Sequence, residues 1–383
     1  MRAAVLRDGT IEARDTQDPV PGPGQLLVRS LACGICASDI HFMDHPEGDA
    51  EDDSGLSNYD PNSDIVMGHE YCAEVVEYGP QTQRVWSVGT RVSSIPALLT
   101  KDGVRIIGQS NEAPGGFGEY FLLTEGMTQV VPTDLPDELV SIADAISVGW
   151  SYVKRADVTA KEVPLVIGCG AIGLAAVASL KRLGVGPIVA ADFVASRRDT
   201  ALAMGADVVI DPAAVSPYSS WREVAFGSPD PVRDMMGLLN LPGCVVFECV
   251  GVPGVLDSIV KGCERGTRIF SAGGPPDGDH IHTMVAKRKG LAIQFGGGPS
   301  MTHWNEAFAE VCEGRLDVTP MYGYSVGLDE VSAALNSARD ANGPARIIVV
   351  PWRTTERTNA NLDGTPEHRQ VLTPPAGPSG PFA

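Results

Sequence analysis

The sequence lacks the long apolar segments that a membrane or a secretory pathway requires. A transmembrane helix needs about 18 or more consecutive apolar residues, and no such run occurs among the 383 residues. The opening residues, MRAAVLRDGT, also lack the apolar core of a signal peptide. These absences predict a protein without a membrane partner that resides in the cytoplasm.

Basic residues are scarce, and their scarcity is regional. The chain has 29 Lys and Arg against 48 Asp and Glu, a formal charge of −19. Residues 1–150 carry eight basic and 24 acidic residues, and twelve acidic residues but no basic one lie between Arg29 and Arg84. Nucleic-acid binding needs a basic footprint, so no nucleic-acid partner is expected.

Paired cysteine motifs are almost absent. The chain has eight cysteines and 43% hydrophobic residues, so it is large and apolar enough to fold without disulfides. Cys33 and Cys36 form a single C-x-x-C motif, which alone is typical of a zinc knuckle or a redox pair. No second such motif exists, and no cysteine lies between Cys72 and Cys169. A four-cysteine zinc site is therefore disfavoured.

Two patterns of secondary structure divide the chain. The first 150 residues contain short apolar runs separated by Gly and Pro, which is typical of β-structure. From Pro164 strands and helices alternate, which predicts an α/β protein with a doubly wound parallel sheet. Residues 353–383 are rich in Pro, Thr and Gly and are expected to be flexible.

The segment GCGAIG at residues 168–173 fits the dinucleotide fingerprint G-x-G-x-x-G. It follows a predicted strand and opens a predicted helix, which is the context that binding requires. The first glycine permits the tight turn, the second lets a pyrophosphate approach, and the third lets the helix pack on the strand. The predicted cofactor-binding residues of this turn are Gly168, Gly170, Ala171, Ile172 and Gly173.

Asp192 ends the next strand, 19 residues after Gly173. A carboxylate there binds ribose hydroxyls and repels a 2′-phosphate, so NAD is favoured over NADP. Arg197 follows one helical turn later and is predicted either to reach the cofactor or to be a solvated charge. Arg197 and Arg198 keep NADP open as an alternative.

A second constellation has the chemistry of a metal site. Cys36 offers a thiolate and His69 an imidazole, both of which are zinc ligands. Glu70 follows His69 directly and adds a carboxylate. Each residue alone is more typical of a protein core, but together they favour zinc.

In this order, the motifs resemble the zinc-dependent medium-chain dehydrogenase/reductase superfamily of alcohol and polyol dehydrogenases. The resemblance runs to about Val350 and depends on the segments GICASDIH at 34–41, GHE at 68–70, GCGAIG at 168–173 and FECVG at 247–251. It implies a discontinuous GroES-like β-rich catalytic domain, residues 1–147 and 296–352, and a Rossmann domain, residues 148–295. The active site is expected in the cleft between them.

The resemblance also implies roles for individual residues. Cys36 and His69 match zinc ligands, and Glu70 matches a carboxylate that approaches the zinc. Asp39 matches the carboxylate that orients the histidine. Ser38 and His41 match a proton relay to solvent, although a surface histidine is an alternative for His41.

The chain departs from the family at two places. Asp144 stands where relatives place a cysteine or glutamate as third ligand, and it is predicted to bind zinc directly or through water, or to be a pocket carboxylate. Residues 91–120 lack the four-cysteine lobe of the structural zinc. One catalytic zinc per subunit is therefore predicted.

Three further residues match the cofactor half of the family. Cys249 and Val250, in FECVG, are expected to line the nicotinamide side. Arg346 matches a basic residue that reaches the pyrophosphate in relatives, with simple surface pairing as the alternative.

The resemblance implies reversible hydride transfer between an alcohol and NAD. A secondary alcohol, diol or polyol is expected rather than ethanol, and a homodimer or homotetramer is the family expectation. A zinc-free quinone or enoyl reductase is an alternative that the Cys36–His69 pair disfavours. A non-catalytic cofactor-binding protein is a second alternative, which the retained relay residues disfavour.

The acidic stretch lies between the two metal motifs, within residues 44–64. One hypothesis is a solvated loop that aids solubility. The other is an acidic lid that repels anionic substrates.

Overall fold

The computed structural model describes residues 1–44, 60, 62–227, 244–275, 278–353 and 357–358. The core of the acidic stretch and almost all of the Pro-rich tail lie outside these residues, and so do the hypotheses about them. Within the described residues, no helix has the length and apolar character needed to cross a membrane.

Nineteen strands and ten α-helices are assigned within the described residues. The strands are β1 Arg2–Arg7, β2 Thr10–Asp15, β3 Gln25–Gly34, β4 Ile65–Val66, β5 Glu70–Tyr78, β6 Arg91–Ser94, β7 Ala97–Thr100, β8 Gly103–Ile106, β9 Tyr120–Thr124, β10 Thr128–Val130, β11 Pro164–Ile167, β12 Val189–Ala191, β13 Val208–Ile210, β14 Val245–Glu248, β15 Arg268–Ser271, β16 Ala292–Phe295, β17 Tyr322–Val326, β18 Arg346–Val349 and β19 Arg357–Thr358. The helices are α1 Ala37–Asp44, α2 Asp137–Ser141, α3 Ala143–Ala156, α4 Ala171–Arg182, α5 Ala195–Ala203, α6 Pro217–Phe226, α7 Val255–Gly262, α8 Thr283–Lys289, α9 Met301–Cys312 and α10 Val331–Ala338.

The first lobe is built around the long strand β3. This strand pairs antiparallel with β5, β9 and β18 in an eight-stranded mixed sheet, and β17 and β19 extend that sheet beyond β18. A three-stranded sheet, β2-β1-β4, and the hairpin β7-β8 complete the lobe. The predicted β-rich first part is confirmed, and β17 and β18 show that the chain returns to it near its end.

The second lobe is a six-stranded sheet in the order β13-β12-β11-β14-β15-β16. Every pairing in it is parallel. The central strands are apolar and buried, as expected when helices cover both faces of a parallel sheet. The predicted doubly wound sheet is confirmed. Its strand order reverses at β11, where such folds bind ligands beyond the carboxyl ends of the strands.

Helix α3 joins the two lobes. A Cβ on Gly149 would lie 2.5 Å from the Cβ of Ala175, so glycine allows α3 to pack directly on α4. One hydrophobic core includes Cys72 from the first lobe and Phe247 from the parallel sheet. The predicted division at 147/148 falls inside α3, and the division at 295/296 falls at the end of β16; both boundaries stay predictions.

Candidate active site

The end of β3 delivers Cys36 and the short helix α1 to the cleft. Asp39, which is fully buried, accepts the backbone N–H of Cys36 through Oδ2 at 2.8 Å. This is the reaching-back half of a capping box, made from the third helical position. A Cβ on Gly34 would lie 2.5 Å from Oε2 of Glu70, so the glycine makes room for that carboxylate.

A glycine also sets the position of His69. Gly68 has φ +95, and a Cβ there would lie 2.5 Å from a ring carbon of Phe117. The Nδ1 atom of His69 lies 3.3 Å from Oδ1 of Asp39, and its Nε2 hydrogen-bonds the hydroxyl of Ser38 at 3.2 Å. Asp39 therefore connects the Cys36 backbone with the far side of the His69 ring.

Cys36, His69 and Glu70 form a group with the donor set of a zinc site. One ligand atom from each lies within 4.8 Å of the others. Oε2 of Glu70 is buried and has no hydrogen-bond partner within the described part of the chain, which is costly for a carboxylate oxygen. A thiol, an imidazole and a carboxylate are all zinc ligands. The residues present therefore fit a zinc ion.

The electrostatics of this group also favour a cation. Burial, the largest influence, lowers the pKa of His69, but Asp39 and Cys36 outweigh it and raise this pKa well above its usual range. Burial, with the charge of Glu70 added to it, raises the pKa of Asp144 to about 6. The acidic groups are thus close enough to His69 or to one another to change these pKa values, and Arg346 already neutralises part of their negative charge.

Asp144 lies beside this group rather than in it. It sits in the first turn of α3, and its Oδ1 accepts the indole N–H of Trp304 at 2.9 Å. Its carboxylate is not among the atoms that lie within 4.8 Å of one another. Asp144 therefore adjoins the group without belonging to it, and direct ligation, water-mediated ligation and the role of a pocket carboxylate all stay predictions.

Arg346 is buried in the same region. Its side chain is 4% exposed, and its Nη2 donates to Oε1 of Glu70 at 2.7 Å. The alternative of surface pairing is therefore wrong, because the pair has no access to solvent. The contact with a cofactor pyrophosphate stays a prediction.

Ser38 and His41 lie three residues apart on α1 and so share one face of that helix. The Ser38 hydroxyl points at His69, whereas His41 is exposed. The two ends of the predicted relay are thus an inner hydroxyl and an outer imidazole.

The three glycines of the turn at residues 168–173 have different surroundings. Gly168 has φ +90, which a residue with a side chain rarely adopts. A Cβ on Gly173 would lie 1.8 Å from the carbonyl oxygen of Gly168, whereas a Cβ on Gly170 would meet no atom of the described residues within 4 Å. Ala171 and Ile172 open α4 between the two crowded glycines. Open space at Gly170, at the start of a helix, fits an approaching pyrophosphate.

Asp192 closes the turn from the next strand. Its Oδ2 accepts the N–H of Cys169 at 2.7 Å, and its Oδ1 accepts the N–H of Val194 at 2.8 Å. Arg198 donates to the carbonyl of Asp192 and pairs with Asp211. The Nε of Arg197 is buried and has no hydrogen-bond partner in the residues that the structure describes, whereas Arg198 is already held by these contacts.

The segment after β14 lies against the same turn. A Cβ on Gly168 would lie 2.7 Å from Val250 and 3.0 Å from the carbonyl oxygen of Cys249. Burial, with the charge of Glu248 added to it, raises the pKa of the Cys249 thiol well above its usual range. Sequence reasoning gave Glu248 no role, although a charged residue at the end of the apolar strand β14 was the available signal.

A second group of potential metal ligands lies on the surface of the parallel-sheet lobe. It comprises Asp257, His280 and His282, whose ligand atoms lie within 4.8 Å of one another. The Asp257 carboxylate already bonds the His282 ring at 2.8 Å and pairs with Lys261 at 2.7 Å. These contacts explain why the three residues lie together: they belong to an exposed cluster of ion pairs.

Comparison with known families assigns both lobes. Residues 22–137 match the alcohol dehydrogenase GroES-like domain, and residues 171–311 match the zinc-binding dehydrogenase family. Sorbitol dehydrogenase from Gallus gallus is 24% identical over 355 residues, covering 90% of this chain and 94% of the relative. (R,R)-Butanediol dehydrogenase from Neisseria gonorrhoeae is 26% identical over 358 residues, covering 86% and 93%.

Solved structures show the same fold. A zinc-binding dehydrogenase from Sinorhizobium meliloti, bound to NADP, has a TM-score of 0.75 at 24% identity and covers 91% of this chain and 99% of its own. The 2R,3R-butanediol dehydrogenase from Bacillus subtilis has a TM-score of 0.73 at 22% identity, with the same coverage.

Proposed function

The chain belongs to the zinc-dependent medium-chain dehydrogenase/reductase superfamily, and from this premise we propose that it is an NAD-dependent alcohol dehydrogenase with one catalytic zinc. The observation that carries the proposal is the convergence of a half-buried Cys36 with the buried His69 and Glu70, whose Oε2 has no hydrogen-bond partner among the described residues. Its substrate is a secondary alcohol, a diol or a polyol, and the reverse reaction reduces the matching carbonyl compound.

The metal-binding residues are Cys36, His69 and Glu70, with Asp144 beside them. When bound, zinc supplies Lewis-acid polarisation of a substrate oxygen, and the nicotinamide supplies the hydride chemistry. Asp39, whose Oδ1 lies 3.3 Å from Nδ1, would orient the His69 ring.

The proton has a route through α1. Ser38 holds its hydroxyl beside His69 and receives the proton that leaves the substrate hydroxyl. His41, one turn later and exposed, is the proposed outer group that releases the proton to solvent, and a ribose hydroxyl of the bound cofactor would bridge the two side chains.

The substrate class is supported by relatives and by Asp144. The matched relatives include sorbitol, butanediol and threonine dehydrogenases. A carboxylate in the pocket, as at Asp144, offers a hydrogen-bond acceptor to a second hydroxyl of a diol or polyol.

NAD is proposed over NADP because of Asp192. Asp192 directly follows β12, on the expected adenosine side of the turn, where a 2′-phosphate would add a second negative charge beside the carboxylate. The NADP-bound neighbour from S. meliloti makes the comparison of the two cofactors worth measuring.

The test is a dehydrogenase assay over simple alcohols, diols, polyols and aldehydes, combined with calorimetry of NADH and NADPH binding. We expect turnover of secondary alcohols or diols, and tighter binding of NADH. Absence of turnover over the whole panel in the zinc-loaded chain would contradict the proposed activity, and tighter NADPH binding would contradict the role of Asp192.

A further inference from the structure

We propose that Glu248 is a positioning residue that fixes the nicotinamide half of the dinucleotide site by holding together the loops after β14 and β15. Glu248 is the last residue of β14, and it is only 2% exposed. The inference rests on the proposed function, because it assigns a role within the dinucleotide cleft.

The carboxylate divides its two oxygens between the two loops. Oε1 accepts the backbone N–H groups of Val250 at 2.8 Å and Gly251 at 2.9 Å, in the loop after β14. Oε2 accepts the hydroxyl of Ser271 at 2.7 Å and the N–H of Gly273 at 3.2 Å, at the end of β15 and in the loop after it. An ionised carboxylate only accepts hydrogen bonds, so it suits a site with four donors.

The two loops also approach each other without side chains between them. A Cβ on Gly273 would lie 2.3 Å from Cα of Gly251 and 2.8 Å from Oε2 of Glu248. Gly251 has φ +69, which favours glycine. Because the backbones touch here, a change in the hydrogen bonds of Glu248 displaces both loops.

The position of Glu248 in the sheet indicates which half of the cofactor it influences. A dinucleotide lies across the point where the strand order reverses, which is β11 in this sheet. Asp192 follows β12 on one side of that point, and Glu248 ends β14 on the other. A cavity of about 220 Å³ on this side is lined by Glu248, Val252 and Phe295, among others. Its exposed apolar residues suit a flat aromatic ring.

Binding of two ligands, NADH and ADP-ribose, distinguishes this positioning role from a general effect on folding. ADP-ribose carries the adenosine and pyrophosphate of NADH but lacks the nicotinamide. In Glu248→Gln the size is kept, but an amide nitrogen is placed among groups that also donate. We expect calorimetry to show about tenfold weaker NADH binding, the loss of a hydrogen bond to a charged group, and ADP-ribose binding within about twofold of the parent chain.

Glu125→Gln is the matched control. Glu125 is a buried carboxylate in the first lobe that accepts the backbone N–H groups of Gln83 and Val85. Its substitution is expected to lower the melting temperature and leave the NADH to ADP-ribose affinity ratio unchanged. Ser271→Ala removes only one of the four donors to Glu248. It therefore tests the same role if Glu248→Gln fails to fold. It should weaken NADH binding in the same direction, by about threefold.

The outcomes are distinct. Equal weakening of both ligands in Glu248→Gln and Ser271→Ala, or no weakening of either, would overturn the positioning role. Failure of the parent chain to bind either ligand would overturn the proposed dinucleotide function, and this inference with it.

Discussion

The two halves of the cleft are built in opposite ways. In the metal half, side chains that carry ligand atoms converge from separate segments: Cys36 precedes α1, His69 precedes β5, and Glu70 begins β5. In the cofactor half, the turn depends on missing side chains, because Gly168 and Gly173 leave no room for a Cβ.

This difference predicts different modes of failure. Removing a donor from the metal half takes away chemistry but leaves the surrounding sheet intact. Adding one methyl group to the turn disturbs packing that the whole parallel sheet shares. Both halves nevertheless contain one common device, a buried aspartate that accepts the N–H of a loop cysteine: Asp39 for Cys36 and Asp192 for Cys169.

The largest effect is expected from a substitution of His69, which tests whether the metal half can fail while the cofactor half stays intact. In His69→Ala the thiol and carboxylate remain but the imidazole is lost, so turnover should fall at least about a thousandfold, since the Lewis-acid contribution is worth several kcal/mol. Zinc content by elemental analysis should fall with it. NADH binding by calorimetry should stay unchanged, and its loss would show that the two halves are not separable.

The next effect concerns the relay. Ser38→Ala removes the hydroxyl at 3.2 Å from His69, and turnover at neutral pH should fall by roughly a hundredfold, the lower range of general acid–base contributions. Zinc content and NADH affinity should not change. Unchanged turnover would remove Ser38 from the proton route.

Two substitutions in the glycine-rich turn test whether its glycines have separate roles. Gly173→Ala places a methyl group 1.8 Å from a carbonyl oxygen and should lower the free energy of unfolding by about 1–3 kcal/mol. Gly170→Ala adds the same methyl group in open space, so the unfolding free energy should change by less than about 1 kcal/mol.

NADH binding distinguishes these two variants further. Gly170→Ala should weaken it about tenfold, because the methyl group stands where a pyrophosphate approaches the helix. Denaturant unfolding and calorimetry measure the two quantities. Equal destabilisation by both substitutions would contradict the assignment of separate roles to the two glycines.

The turn could be predicted from sequence, because its spacing and its flanking strand and helix are local. The parallel sheet followed from the same local alternation of strand and helix. The helix α1 was not predicted, although it carries Ser38, Asp39 and His41. It has only eight residues, and a segment of two turns gives little periodicity to detect.

The long-range contacts of the metal half could not be predicted from sequence. Asp144 and Trp304 are 160 residues apart in the chain, and Glu70 and Arg346 are 276 apart. No local pattern indicates that an indole holds one carboxylate or that a guanidinium is buried against the other. The hydrogen bonds of Glu248 could not be predicted for the same reason. Two of its four donors lie in a strand and a loop that follow more than 20 residues later.

The last prediction tests the feature that both halves share, the buried aspartate that accepts a cysteine N–H. In Asp39→Asn the side chain keeps its size but loses its charge and faces the His69 ring with an amide, so zinc affinity measured by chelator competition should fall about 10- to 100-fold. NADH affinity should stay within about twofold. Asp192→Asn is the same substitution in the other half, where the carboxylate accepts the N–H groups of Cys169 and Val194. It should weaken NADH binding and leave zinc affinity unchanged. This reciprocal pattern is expected because each aspartate fixes the loop of its own half, and a single variant that lowers both affinities would show that the cleft responds as one unit.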